Sequence, residues 1–143
     1  MKTQSGFTLL EILVVVLIIT ILATLVGINV IPELGKSKAA VAQAQIGTFR
    51  TALNMYRMNH GQYPTQSQGL MALVEVPVIP PIPDRYPETG YLETRRLPVD
   101  PWNHDYVYVV PGPDREAYEI ISYGADGELE GEGENADIRS SAR

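Results

Sequence analysis

Phe7 to Ile31 is a run of 25 residues whose only polar side chains are Thr8, Glu11, Thr20, Thr24 and Asn29. As a helix rising ~1.5 Å per residue, it covers a hydrocarbon core ~30 Å thick with some tilt. Glu11 sits near its start, and a charged side chain in lipid costs at least ~2.5 kcal/mol. A secretory signal peptide needs a basic leader, 7–15 apolar residues and a small-residue cleavage site after them. Here only Lys2 supplies charge before the run, the run is too long, and no A-x-A-like site follows it. A plain membrane anchor fits the length but leaves Glu11 unexplained. A third arrangement places the cut ahead of the run, between Gly6 and Phe7, and keeps the hydrophobic helix on the mature chain. Lys2 on one side and Lys36 and Lys38 on the other do not decide which end faces the cytoplasm.

Beyond the run, Ala39, Ala42, Ile46, Phe49, Leu53 and Tyr56 recur at steps of three and four, one face of an α-helix. Lys36, Arg50 and Arg57 fall off that stripe. The spacing therefore predicts one helical element over residues 7–58, about 78 Å long, whose outer half (32–58) lays its stripe on a globular part. Gly27 and Pro32 weaken the middle and predict a kink around Gly27 to Gly35.

From residue 59 to the end the chain is richer in proline, glycine and polar residues. "TQSQGLMALV" predicts a short helix with Leu70, Leu73 and Val74 inward. "VPVIPPIPDRYP" carries Pro77, Pro80, Pro81, Pro83 and Pro87 and reads as an extended surface wrap. Its Val78, Ile79 and Ile82 are expected to pack onto the domain. "DYVYVV" (105–110) and "AYEIISY" (117–123) are strand-like and joined by "PGPDRE", which predicts an antiparallel hairpin resting on the long helix.

The net charge is −6, and six acids, Asp126, Glu128, Glu130, Glu132, Glu134 and Asp137, fall within twelve residues that hold no Lys or Arg. Such a chain is a poor partner for nucleic acid, which needs cations against its phosphates. Two readings of the acidic stretch stand. It is a hydrated, self-repelling run, or it is a folded cation loop, for which Gly124, Gly127, Gly131 and Gly133 give the turns. Counted from Asp126, the EF-hand positions 3, 5, 9 and 12 hold Glu128, Glu130, Glu134 and Asp137, with Gly131 at 6. Glu replaces the usual Asp or Asn, Asp replaces the final Glu, and only six residues follow, too few for an exit helix.

"GFTLLEILVV" closely resembles the amino-terminal signal of type IV pilins and pseudopilins. "YPTQSQGLMALV", "RLPVDPWNHDYVYV" and "SYGADGELEGEGENADI" narrow the resemblance to the major pseudopilins of the type II secretion system, over Gly6 to Ile138. It implies an α+β, pilin-like fold. It further implies that residues 1–6 are a leader, 7–31 the transmembrane half of a long helix, 32–58 its periplasmic half, and 59–143 a domain with a small antiparallel sheet and a calcium-binding C-terminal loop. It implies cleavage at Gly6/Phe7 by a prepilin peptidase, N-methylation of Phe7, and assembly through Glu11. A helix start carries orphan N–H groups and partial positive charge, and the cut adds an α-amino group, so Glu11 could pair with that end of a neighbouring copy. Burial alone equally allows Glu11 to snorkel to headgroup depth.

For the tail, the resemblance implies one structural Ca²⁺ held by Asp126, Asp137 and Asn135 side chains and by the carbonyls of Tyr123 and Glu128. Relatives often close this loop with two adjacent aspartates where this chain has "NAD". It further implies a filament of copies of this chain with minor pseudopilins, an inner-membrane assembly platform and the lipid bilayer. The chain would be a single-pass inner-membrane protein with its domain in the periplasm. Growth of the filament would help drive folded proteins through an outer-membrane secretin. Adhesive type IV pili and a membrane-anchored periplasmic calcium-binding module are the alternatives. Pilins stapled by a C-terminal disulfide fit less well, because the chain has no cysteine. His60 and His104 stand in separate loops, no nucleophile or phosphate motif occurs, and no catalytic residue is expected.

Overall fold

Thr8 starts the long helix: its Oγ1 and its carbonyl accept the Glu11 N–H at 3.2 and 3.1 Å. A donor that the first helical turn leaves orphan is thereby satisfied. The computed structural model describes residues 8–141, apart from the side chains of 25–34 and of Asp114. Helix α1 runs Leu9–His60, 52 residues, two later at each end than the spacing predicts. It closes at Gly61, whose φ of +79° suits the left-handed residue that ends helices. The kink expected around Gly27 to Gly35 falls on residues 25–34, whose side chains lie outside the description.

Contacts divide the chain into a unit ending at Gly35 and one running from Lys36, four residues beyond the boundary expected at 31/32. In the first unit the aliphatic side chains from Leu9 to Leu22 are all at least 43 % exposed. Two of the polar interruptions are satisfied within the helix: Thr20 Oγ1 donates to the Val16 carbonyl at 2.8 Å, and Thr24 Oγ1 to the Thr20 carbonyl at 2.9 Å. From Ile12 to Leu22 the helix therefore presents aliphatic side chains on every side. Its described side chains end at Thr24, sixteen residues or about 24 Å from Leu9. Among the described residues no helix is long and apolar enough to cross a membrane.

In the second unit the stripe is where the spacing puts it. Ala42, Ile46, Phe49 and Leu53 are fully buried, Tyr56 nearly so, and Ala39 is half-buried. Ile46, Phe49, Leu53 and Tyr56 share one core with Leu70, Leu73, Tyr91, Leu92, Tyr106, Tyr108 and Ile120. The Phe49 ring meets Tyr106 edge-on at 5.0 Å, and Tyr56 meets Tyr91 at 5.3 Å. At Tyr86 and Tyr108 the ring packs while the hydroxyl reaches an acceptor, whereas the Tyr106 hydroxyl is buried without a partner. Tyr108 donates to the Pro64 carbonyl and Tyr86 to the Ala72 carbonyl, each at 3.0 Å. The helix expected in "TQSQGLMALV" is one 3-10 turn, Leu70–Leu73, with Val74 half-buried beside it.

The sheet is an antiparallel meander of β1 (Val107–Val109), β2 (Glu119–Ser122) and β3 (Ile138–Arg139). Val107, Tyr108 and Val109 face Ile121, Ile120 and Glu119, and Ile121 and Ser122 face Arg139 and Ile138. The hairpin is as expected but shorter. Val110 leaves the ladder because its N–H goes to Gln66 Oε1 at 2.6 Å, and Pro111 has no N–H to continue it. The third strand went unforeseen; its two residues are too few for any alternation to show.

One packing expectation fails. Val78, Ile79 and Ile82 are exposed, Val78 by 86 %. The proline-rich wrap is held instead by buried Pro77 and by its backbone: Gln68 Nε2 donates to the carbonyls of Ile79 and Pro81 at 2.8 Å each. One polar side chain thus does what three aliphatic ones were expected to do.

Burial raises the phenol of Tyr86 to about 12, with the charges of Tyr91, Tyr56 and Glu75 adding to it. Tyr106 and Tyr108 are raised too, first by burial, then by Asp100 for Tyr106 and by Tyr118, Tyr63 and Tyr56 for Tyr108. A raised folded value means the unfolded chain releases its proton first, so stability is whole below the ordinary value near 10 and is lost above it. Denaturant unfolding at pH 8, 10 and 12 is expected to show little change to pH 10 and a steep loss by pH 12.

Candidate functional site

Two regions carry the functional expectations. At the leading end, Gly6 and Phe7 lie outside the described residues. Glu11 lies in the first turn of α1, exposed, with its N–H on Thr8. A carboxylate there meets the positive end of the helix dipole. Thr8-Leu9-Leu10-Glu11 has the spacing of a capping box, of which the Thr8 half is formed.

The acidic stretch folds into the connection between β2 and β3. Pairing of Ser122 with Ile138 sets Tyr123 and Asp137 at the two sides of its mouth. The Ala125 N–H bonds the Glu134 carbonyl at 3.0 Å, drawing the two limbs together. Gly124 makes that approach possible: its φ is +66°, and a Cβ there would lie 2.8 Å from the Asn135 and Glu134 carbonyl oxygens. Asp126 Oδ1 accepts the Glu128 N–H at 3.2 Å, an Asx turn at the exposed outer end.

In the loop, Asp137 has one buried oxygen left without a partner. Its side chain is 8 % exposed. Its Oδ2 accepts from Arg139 Nη2 at 2.7 Å and from the Glu130 N–H at 3.3 Å. Its Oδ1 is buried with no partner, a state that costs about 1–3 kcal/mol or more for a charged group. Asn135 is brought to the mouth by its backbone, with its side chain exposed, while Tyr123 is half-buried at the end of β2. Among the described residues no three His, Asp or Glu side chains gather as a metal site. What the loop offers is hard oxygen from two carboxylates, an amide and backbone carbonyls, the donor chemistry that suits calcium. The orphaned Asp137 oxygen fits a cation there.

Comparison with known proteins bears on both regions. Residues 29–141 match the family model described as type II secretion system protein G. Residues 1–27 match the prokaryotic N-terminal methylation motif. Type II secretion system core protein G of Escherichia coli K12 is 46 % identical over 126 residues, 88 % of this chain and 85 % of that one. The protein of the same description from Vibrio cholerae is 45 % identical over 138 residues, 96 % and 92 % of the two chains. The crystal structure of the major pseudopilin from the type 2 secretion system of enterohaemorrhagic Escherichia coli superposes with a TM-score of 0.67 at 36 % identity, covering 78 % of this chain and 93 % of that one.

Sequence reasoning passed over the residues that hold the loop's stem. Asp100 is 3 % exposed. Its Oδ1 accepts the Trp102 and His104 N–H groups at 3.0 and 2.8 Å, and its Oδ2 accepts Ser122 Oγ at 2.6 Å. His104 Nδ1 in turn lies 3.1 Å from the Gly124 carbonyl. "DPWNH" thus clamps the end of β2 and the first turn of the loop; an Asp before Pro, ahead of a polar turn, was the available signal. Asp100→Ala strands three donors, the Ser122 hydroxyl fully buried among them, and is expected to cost about 3 kcal/mol in urea unfolding. A loss below about 0.5 kcal/mol would mean the clamp is ornamental.

Proposed function

The chain belongs to the type II secretion system protein G family, and on that premise we propose how its parts work. It is a major pseudopilin, a structural subunit of the secretion pseudopilus and not a member of an enzyme family. Membership sets aside the adhesive pilus and the lone calcium module. The observation that carries the mechanism is the contrast between the two units. From Leu9 to Leu22 the aliphatic side chains stand exposed on all sides, while the domain from Lys36 closes its own core. Such a helix must be covered from outside, first by lipid along Phe7 to Ile31, then by copies of itself.

On this reading prepilin peptidase cuts at Gly6 and Phe7 is methylated. The mature helix sits in the inner membrane with the domain in the periplasm. The assembly platform, with minor pseudopilins, then draws copies into a filament. Glu11 takes the amino-terminal Phe7 of the adjacent copy, which neutralises a carboxylate at membrane depth and sets the stagger between subunits. Lengthening of the filament helps move folded proteins through the outer-membrane secretin.

The tail loop holds one Ca²⁺ through Asp126, Asp137 and Asn135 and the carbonyls of Tyr123 and Glu128. The ion supplies positive charge to a loop of six acids; the chain supplies the turns at Gly124 and Glu128 and the Asp137 oxygen that lacks a partner.

Glu11→Ala is expected to reach the membrane fraction at the wild-type level while yielding no sedimentable filament; normal filaments would remove the pairing role. Calcium at a hundred times its Kd is worth about 2.7 kcal/mol. Millimolar calcium is therefore expected to raise the melting temperature of the full chain in detergent by several degrees. An unmoved melting curve would remove the ion.

A further inference from the structure

We propose that Arg139 is a positioning residue for the cation site of the tail loop: it holds Asp137 by one oxygen and leaves the other to the ion. The proposal rests on the calcium reading above. Arg139 reaches two carboxylates at once, Nη2 to Asp137 Oδ2 at 2.7 Å and Nη1 to Glu119 Oε2 at 3.4 Å. Its own place is fixed from the sheet. Arg139 faces Ile121 across the β2–β3 ladder, and Glu119, two residues earlier on β2, lies on the same face and diagonal to it. Glu119 is 3 % exposed and also accepts a hydrogen bond from Ser141 Oγ. The guanidinium is thus tied to a buried carboxylate of the central strand, and its other edge is extended to the last residue of the loop.

The consequence falls on Asp137. With Oδ2 engaged by Arg139 and by the Glu130 N–H, the carboxylate cannot turn freely, and Oδ1 is the oxygen left buried and unpaired. A carboxylate locked in this way meets a cation with one oxygen at a set place, whereas a free one would sample bidentate and outward orientations. Outer partners that orient a ligand in this manner typically contribute 10–100-fold in metal affinity. Lysine cannot substitute, because its ammonium is a point charge without the planar fork that spans two carboxylates. The opposite role is also defined: were Arg139 only a neighbouring positive charge, it would repel the ion, and removing it would tighten binding.

Calorimetric titration of calcium chloride into the full chain in detergent separates these. Arg139→Lys keeps the charge and is expected to weaken calcium about tenfold. Arg139→Gln is expected to weaken it as well, although it sheds a like charge. Glu119→Gln keeps an acceptor for Ser141 but loosens the anchor, and is expected to weaken calcium several-fold; it decides the matter if the Arg139 variants do not fold. Affinity for Arg139→Lys within twofold of wild type, with only the calcium-free melting temperature lowered, makes Arg139 merely structural and overturns the proposal. Tighter binding by Arg139→Gln overturns it in favour of simple repulsion. Wild-type protein that takes up no calcium overturns both this proposal and the calcium reading.

Discussion

Strands of three, four and two residues cannot stand alone in water, and what supports them is the buried stripe on the outer half of α1. Ile46, Phe49, Leu53 and Tyr56 lie in one core with Tyr106, Tyr108 and Ile120. Each large aromatic buried there brings on the order of 3–5 kcal/mol, judged by the cost of removing one. The rest of the domain is arranged on that surface. The 3-10 turn at Leu70–Leu73 closes one side, and the proline-rich wrap is tied down by Gln68. Gln66 finishes the free end of β1, with its Nε2 on the Tyr108 carbonyl and its Oε1 on the Val110 N–H.

The tail loop depends on the sheet in turn. Its limbs leave from β2 and enter β3, its first turn is clamped by Asp100 through His104, and its last residue is held by Arg139. A loop carrying six acids in twelve residues would repel itself open if it were merely tethered. Here its ends are fixed, and Asp137 Oδ1 is left buried without a partner. On the calcium reading the ion stands at the end of a chain of dependence that begins with the helix: the stripe supports the sheet, the sheet positions Glu119, Arg139 and Ser122, and these shape the loop.

The elements with a strong period were legible in the sequence. The α1 stripe, the hairpin and the glycine-punctuated loop follow from spacing and turn chemistry, and the family followed from the "GFTLLEILVV" signal together with the later segments. What escaped was set by single long-range contacts. A two-residue β3 has no pattern, and the wrap's aliphatic side chains look like core until Gln68 is seen holding its carbonyls. Asp100 reaches Ser122 and Arg139 reaches Glu119 across about twenty residues of sequence, and a polar residue in a strand gives no sign of its partner. In Thr8-x-x-Glu11 the capping pattern was overshadowed by the aliphatic run behind it.

The first unit answers a different requirement from the second. Its described aliphatic side chains, Leu9 to Leu22, stand exposed and on the proposed reading are covered by lipid and neighbouring copies, while the domain from Lys36 carries its own core. Within that domain the order of dependence is open to residue-resolved amide hydrogen exchange on the full chain, which reports the free energy of local opening. The amides of residues 46–56 in α1 and of Ile120 and Ile121 in β2 are expected to open together at the highest free energy, with those of Ala125 and Glu130 exchanging roughly a hundredfold faster. Loop amides slower than those of β2, or an α1 segment that opens while the β1–β2 ladder stays closed, would contradict the dependence of loop on sheet and of sheet on helix.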